Sequence, residues 1–176
     1  EIAASDEMKE YFRSLSKRNE ECYRIAEIAR SRGLDPEPFV EIPQAEDLAS
    51  RVEKLLRDYD VEGVAEDIRR LTETHGNREI VALMIAGEFA KKPGESLEKI
   101  VDRAVRVGLA VLTEGILVAP LEGIADTKIK YNDDGSSYID LIFAGPIRAA
   151  GGTGQAMSVL IADIVRQALD IGRYIP

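Results

Sequence analysis

The feature that most constrains this fold is a change of period near Thr113. Up to Leu112, apolar residues recur at three- and four-residue steps. That spacing puts them on one face of a helix. Beyond Thr113 the helical period stops, and β-branched residues and short glycine intervals take over. A chain patterned this way is α+β and mostly α. The expected architecture is a bundle of about five helices, then a small β-hairpin, then a C-terminal helix. The expected division is a helical lobe over 1–112, with 113–176 packed on it.

Each predicted helix carries its own signals. The first runs from about Asp6 to Arg32, with Ser5 as N-cap and Gly33 just past its end. Its stripe is Met8, Phe12, Leu15, Cys22, Ile25, Ala26 and Ala29. "LDPEPFVEIPQ" follows, and Pro36, Pro38 and Pro43 exclude a helix interior and favour an extended arm. Helix two spans about Ala45 to Tyr59. Helix three runs from an Asp60 cap to His75, where Gly76 stops it. Helix four, about Arg78 to Lys91, is apolar nearly all round and reads as central. Ser96 caps helix five, which turns Leu97, Ile100, Val101, Ala104, Val105, Leu109 and Leu112 inward. "TKIKYNDDGSSYIDLIFA" reads as a hairpin turning at Asp133-Asp134-Gly135. The last helix, about Thr153 to Ile171, presents Met157, Leu160, Ile161, Ile164, Ala168 and Ile171 inward. Its wet face is Asp163, Arg166, Gln167 and Asp170.

Composition narrows the function. The 176 residues carry a net charge of −9, which argues against a basic sleeve around nucleic acid but permits a local basic site. The single cysteine, Cys22, allows no intrachain disulfide and reads as a small core residue of an intracellular, cytoplasmic protein. One cysteine and one histidine cannot build a Cys2His2-type zinc site. No apolar run is long enough to span a bilayer, so no membrane partner is expected. The missing initiator methionine and the stop at Pro176 lead us to expect a piece of a longer polypeptide.

The stretch "FAGPIRAAGGTGQAM" has the outline of a phosphate loop before a helix. It lacks the lysine of a Walker A loop, and Met157 stands where the dinucleotide fingerprint needs its last glycine. General physics still applies: Thr153 can cap the helix, free N–H groups favour an anion, and Arg148 adds charge. The preferred reading is structural, with Gly145, Pro146, Gly151, Gly152 and Gly154 forming a turn that packs helix against strands. Lys128 and Lys130 alternate with Ile129 and Tyr131, giving the first strand a basic face. His75 ends a helix with no second histidine for company, and Ser136 and Ser137 have no local base. The acid pairs Glu20-Glu21 and Asp133-Asp134 read as solvated, and no acidic cluster is assigned to holding two magnesium ions. No catalytic and no metal-binding residue is assigned, and no cofactor is expected within this chain.

Longer words carry more information. "LTEGILVAPLEGIADTKIK", then "FAGPIRAAGGTGQAMSVLIADIVRQALDIGRYIP", resembles the large subunit of the archaeal family D DNA polymerases near its N-terminus. "VEIPQAEDLASRVEKLL" is similar to an earlier block of the same region. The likeness is strongest from about Thr113 to Pro176 and weakest in helices three and four.

The resemblance implies the polymerising subunit of a two-subunit replicative enzyme. Its chemistry is template-directed nucleotide transfer with a divalent metal, magnesium, on acids downstream of this region. It implies a smaller partner subunit carrying a 3′→5′ exonuclease with a phosphoesterase fold. It associates the N-terminal region with assembly and DNA contact, and self-association is a further possible partner interaction. On this reading Arg148, Lys128, Lys130 and Thr153 are the nucleic-acid candidates, touching backbone phosphates without reading sequence. The alternative is a self-standing acidic helical scaffold for a basic protein. A third reading is a small nucleotide-binding enzyme using the Gly-Gly-Thr-Gly turn.

Overall fold

The computed structural model describes residues 4–37, 44–115, 118–149 and 152–176. The chain divides into two compact units, Glu1–Glu41 and Ile42–Pro176.

The first unit is built on one long helix, α1 (Asp6–Ser31). The Ser5 hydroxyl accepts the Met8 N–H at 3.2 Å, and the last turn closes before Gly33 at φ +68°. Arg30 then draws the chain back, with Nε donating to the Glu37 carbonyl at 2.8 Å and Nη2 paired to Asp35 at 3.2 Å. Pro36 lies in irregular backbone, whereas Pro38 and Pro43 lie outside the described residues. No residue of α1 is buried. Cys22 is therefore not a core residue; it is exposed. Periodicity identifies the apolar face of a helix and says nothing about what covers it.

The second unit begins with α2 (Leu48–Leu55). Asp47 caps it through the Ser50 N–H at 2.8 Å and also pairs with Arg69 Nε at 2.8 Å. Arg69 belongs to α3 (Val64–His75), so one carboxylate both starts α2 and ties it to α3. Helix two is shorter than expected, because Arg57–Tyr59 tightens into a 3-10 turn and Asp60 enters the left-handed region at φ +54°. Asp60 does not cap helix three. Gly63, at φ +80°, holds that position. Gly76 stops α3 as anticipated, in the left-handed conformation.

Two helices form the centre, α4 (Arg78–Ala90) and α5 (Leu97–Leu112), capped by Asn77 and Ser96. Val81, Ala82, Ile85, Ala86 and Phe89 of α4 are buried, whereas Ile80 and Met84 face outward. On α5, Val101, Ala104, Val105, Leu109 and Val111 are buried, and Leu97 is exposed, contrary to expectation. Leu97 is the first residue of the helix, where the stripe has only just begun. At Gly108 three helices meet: a Cβ there would lie 2.9 Å from the Ala82 carbonyl oxygen, 2.9 Å from Ala86 Cβ and 3.0 Å from Ile161 Cγ2.

The hairpin pairs β1 (Ile124–Tyr131) with β2 (Ser137–Phe143), antiparallel. It turns through Asn132–Ser136, with Gly135 at φ +84°. Between Ile124, opposite Phe143, and Asp126, opposite Ile142, the register shifts at Ala125. This bulge places Ile124 on the same face as Thr127 and Ile129. Ile124 joins the core formed by α4, α5 and the last helix, and Ile129, Ile139, Leu141 and Phe143 pack against it.

A short helix, α6 (Gly145–Ala149), and a long one, α7 (Gly152–Ala168), complete the unit. The buried residues of α7 are Ser158, Ile161, Ala162 and Val165. The inner face is therefore rotated from the predicted one, and Leu160 is exposed. Ser158 can be buried because its hydroxyl donates to the Gly154 carbonyl at 2.7 Å.

Two arginines of α5 are buried within this framework. Arg103 donates from Nη1 to Asp60 Oδ2 at 2.5 Å and from Nη2 to the Lys92 and Pro93 carbonyls at 2.7 and 2.5 Å. Arg106 serves the approach to the hairpin. Its Nη1 donates to the Pro120 and Leu121 carbonyls at 2.6 and 3.0 Å, and its Nη2 to the Ile124 carbonyl at 3.0 Å. Its Nε donates to Asp102 Oδ2 at 2.7 Å, and Asp102 Oδ1 accepts the Thr127 hydroxyl at 3.0 Å. A guanidinium suits this place because its planar fork meets several fixed acceptors at once.

Candidate nucleic-acid interface

The solvent face of the hairpin is set by strand alternation. Asp126, Lys128 and Lys130 project from β1 on the side opposite Thr127 and Ile129. Register then places Asp140 of β2 directly across from Lys128. Lys128 Nζ pairs with Asp126 at 3.3 Å, and Lys130 Nζ with Asp140 at 2.5 Å. The hydrogen bond to Asp140 raises the Lys130 ammonium above its ordinary range. The lysine face predicted from sequence is thus present, but each ammonium already has a carboxylate beside it. The sequence reading missed both carboxylates. Asp126 could have been found two residues before Lys128 on the same face, and Asp140 from the turn that fixes the register.

Beyond β2, the run read as a plain turn is helical. Gly145 and Pro146 open α6 and are exposed. Pro146 fits a first turn, where an N–H has no intrahelical acceptor. Ile147 is the buried anchor, at 1% exposure. Two glycines make room for it: a Cβ on Gly123 would lie 2.9 Å from Ile147 Cβ, and one on Gly154 would lie 3.3 Å from Ile147 Cγ1. Gly154 thus lets α7 lie close against α6. Gly152 is the first residue of α7 and Thr153 the second, so Thr153 stands inside the helix, exposed, and not before it. Gly151 lies outside the described residues.

Arg148 follows the Ile147 anchor and points to solvent. Of the three basic candidates it is the one with no hydrogen bond or ion pair among the described residues. What this arrangement can do is limited and definite. Of the candidates, it offers one guanidinium without a partner among the described residues, on α6, and two hairpin lysines that each have a carboxylate beside them. Among the described residues, no three His, Cys, Asp or Glu side chains gather into a set that could hold a metal ion. Among them also, no helix is long and apolar enough to cross a membrane.

Comparison with known proteins assigns the chain. The family described as DNA polymerase II large subunit DP2, N-terminal, matches residues 10–176. The chain belongs to this family. Its relatives include the DNA polymerase II large subunit of Picrophilus torridus, 52% identical across 95% of this chain. The protein of that name in Methanococcoides burtonii is 52% identical across 100% of the chain, and that in Pyrococcus furiosus is 51% identical across 97%. The chain spans 15%, 15% and 14% of the length of these three relatives. The likeness thus covers α1 through α7, including the helices where the sequence resemblance was weakest.

Proposed function

We propose that this chain is a non-catalytic N-terminal support module of an archaeal replicative DNA polymerase large subunit. It serves subunit assembly and borders the DNA path. Magnesium-dependent nucleotide transfer is carried by acids elsewhere in the longer protein. The observation that carries this reading is the match of residues 10–176 to the N-terminal family of that subunit, at about half identity to named relatives. Family membership favours a module of a larger enzyme over the self-standing acidic scaffold. The partners on this reading are DNA and a smaller exonuclease-type subunit, and co-purification of the full-length protein from its native cells should recover that subunit.

The geometry supports a modest DNA contact centred on Arg148. The hairpin lysines are engaged by Asp126 and Asp140, and the net charge of −9 opposes wrapping of a polyanion. The test is Arg148→Ala in the full-length enzyme, titrated with duplex DNA at several salt concentrations. Removing one phosphate contact should flatten the slope of log affinity against log salt by about 0.9. The double change Lys128→Ala with Lys130→Ala should move the slope less. Unchanged affinity and slope in Arg148→Ala would remove this arginine from the DNA path.

A further inference from the structure

The chain after α7 has no regular secondary structure, yet every step of its path is specified. The Ile171 N–H returns to the Arg166 carbonyl at 2.8 Å, and Asp170 takes the left-handed conformation at φ +55°, which ends the helix and reverses the chain. Ile171 is buried, at 5% exposure. Gly172 then passes so close to the hairpin that a Cβ on it would lie 2.6 Å from the Ser137 carbonyl oxygen. Tyr174 sets its ring edge-on to Tyr138, with centroids 5.1 Å apart.

Asn132 completes the contact. Both of its backbone groups are spent on the hairpin turn: its N–H donates to the Ser136 carbonyl at 2.8 Å, and its carbonyl accepts the Gly135 N–H at 2.9 Å. Its side-chain amide is left for the tail. Nδ2 donates to the Arg173 carbonyl at 2.8 Å and to the Ser136 hydroxyl at 2.8 Å, while Oδ1 accepts the Ile175 N–H at 3.0 Å. One amide that bonds the carbonyl before Tyr174 and the N–H after it reproduces the pattern of a parallel β-bridge. The Arg173 carbonyl and the Ile175 N–H fix which way the amide points, because the reversed orientation would set NH2 against that N–H.

We infer that the closed end of the hairpin is a backbone clip for the chain's own exit. Asn132 grips Arg173 and Ile175, so the direction in which the polypeptide leaves this unit is set by the hairpin and α7 together. The surface is specific for an extended segment, since it binds main-chain groups two residues apart. In the longer protein the clip couples the orientation of this module to the region that follows. It depends on the proposed module role only for what lies beyond residue 176.

The test uses the full-length protein and Arg173 as a built-in tryptic site. Cleavage of the Arg173–Tyr174 bond requires release of the clip. Asn132→Ala should raise cleavage after Arg173, relative to cleavage after Arg32, by about tenfold, and should raise exchange of the Ile175 amide by a similar factor. Asn132→Asp should act in the same direction, because it keeps the acceptor and loses the donor. Gly172→Ala should do so from the tail side, pressing its Cβ on the Ser137 carbonyl while leaving every residue of the turn unchanged in sequence. Unchanged cleavage and exchange in Asn132→Ala would overturn the inference. If Asn132→Ala opened the whole hairpin, seen as new cleavage after Lys128 and Lys130, Gly172→Ala decides, and unchanged rates there overturn it. Neither readout involves DNA, so failure of the clip and failure of the DNA role give distinct results.

Discussion

Replacing Arg106 with methionine is the sharpest test of how the hairpin is held. Arg106 is 5% exposed, and its guanidinium lies 4.6 Å from the centre of the Tyr59 ring. Methionine fills a comparable space, so the change isolates polar loss from cavity formation. It strips the Pro120, Leu121 and Ile124 carbonyls and the Asp102 carboxylate of their donor. Charge-assisted hydrogen bonds are worth roughly 1.5–3 kcal/mol each. A simple sum over four overshoots, because the guanidinium regains its hydration on unfolding and Asp102, at 20% exposure, can recruit water. The cost should be that of breaking one partner of a buried pair, about 3–5 kcal/mol. This corresponds to roughly 10²- to 10⁴-fold in the folding equilibrium. Urea unfolding of the 176-residue chain at pH 7, followed by far-UV circular dichroism, measures it. Adding Asp102→Asn should restore about 1–2 kcal/mol, because it removes the stranded charge and keeps an acceptor for Thr127. A loss below about 1 kcal/mol for Arg106→Met, or no recovery in the double variant, would refute this account of the network.

Two further outcomes follow from particular contacts. Gly108→Ala gains about 1 kcal/mol of helix propensity but overpacks a site walled by α4 and α7. Those walls are fixed helix atoms, so a net loss of about 2 kcal/mol is expected in the same assay. Asp47 is held well below the ordinary carboxylate range, first by the Arg69 hydrogen bond and then by Ser50. A carboxyl depressed in the folded state adds stability above its unfolded pKa, and this is lost as pH falls toward the folded value. The stability difference between the parent and Asp47→Asn should therefore be full at pH 7 and narrow from about pH 4 downward. Asparagine still caps the helix, so only the charge pairing is tested. A difference that stays constant with pH would contradict the role given to Arg69.

Much of the fold was legible where local chemistry decides it. Ser5 and Ser96 cap helices, and Gly76 ends one, because those preferences act within a single turn. The hairpin and its turn were legible for the same reason. Helix two was drawn too long because nothing in "LLRDYD" reveals that Asp60 serves Arg103, 43 residues away. Short α6 escaped notice because five residues carry too little periodicity, and a Gly-Pro pair reads first as a turn. The burial of Arg103 and Arg106 was invisible, since charged residues default to the surface and their acceptors are backbone carbonyls brought in by the tertiary fold. The α7 face is rotated from the apolar stripe because that stripe leaves out Ser158, which can be buried since its own helix satisfies its hydroxyl. At the candidate interface the lysines were found. Their neutralisation was not, because it needs the strand register.

The bulge at Ala125 has a consequence for how this hairpin tolerates changes of length. Removing Ala125 would restore strict alternation and leave Ile124, Thr127 and Ile129 turned inward. Removing Lys128 would instead rotate Ile129 out toward solvent and carry its charged neighbour beneath the sheet. The strand thus has one place where a residue can be lost or gained without turning it over. Relatives that differ in length between Gly123 and Tyr131 should show the difference there.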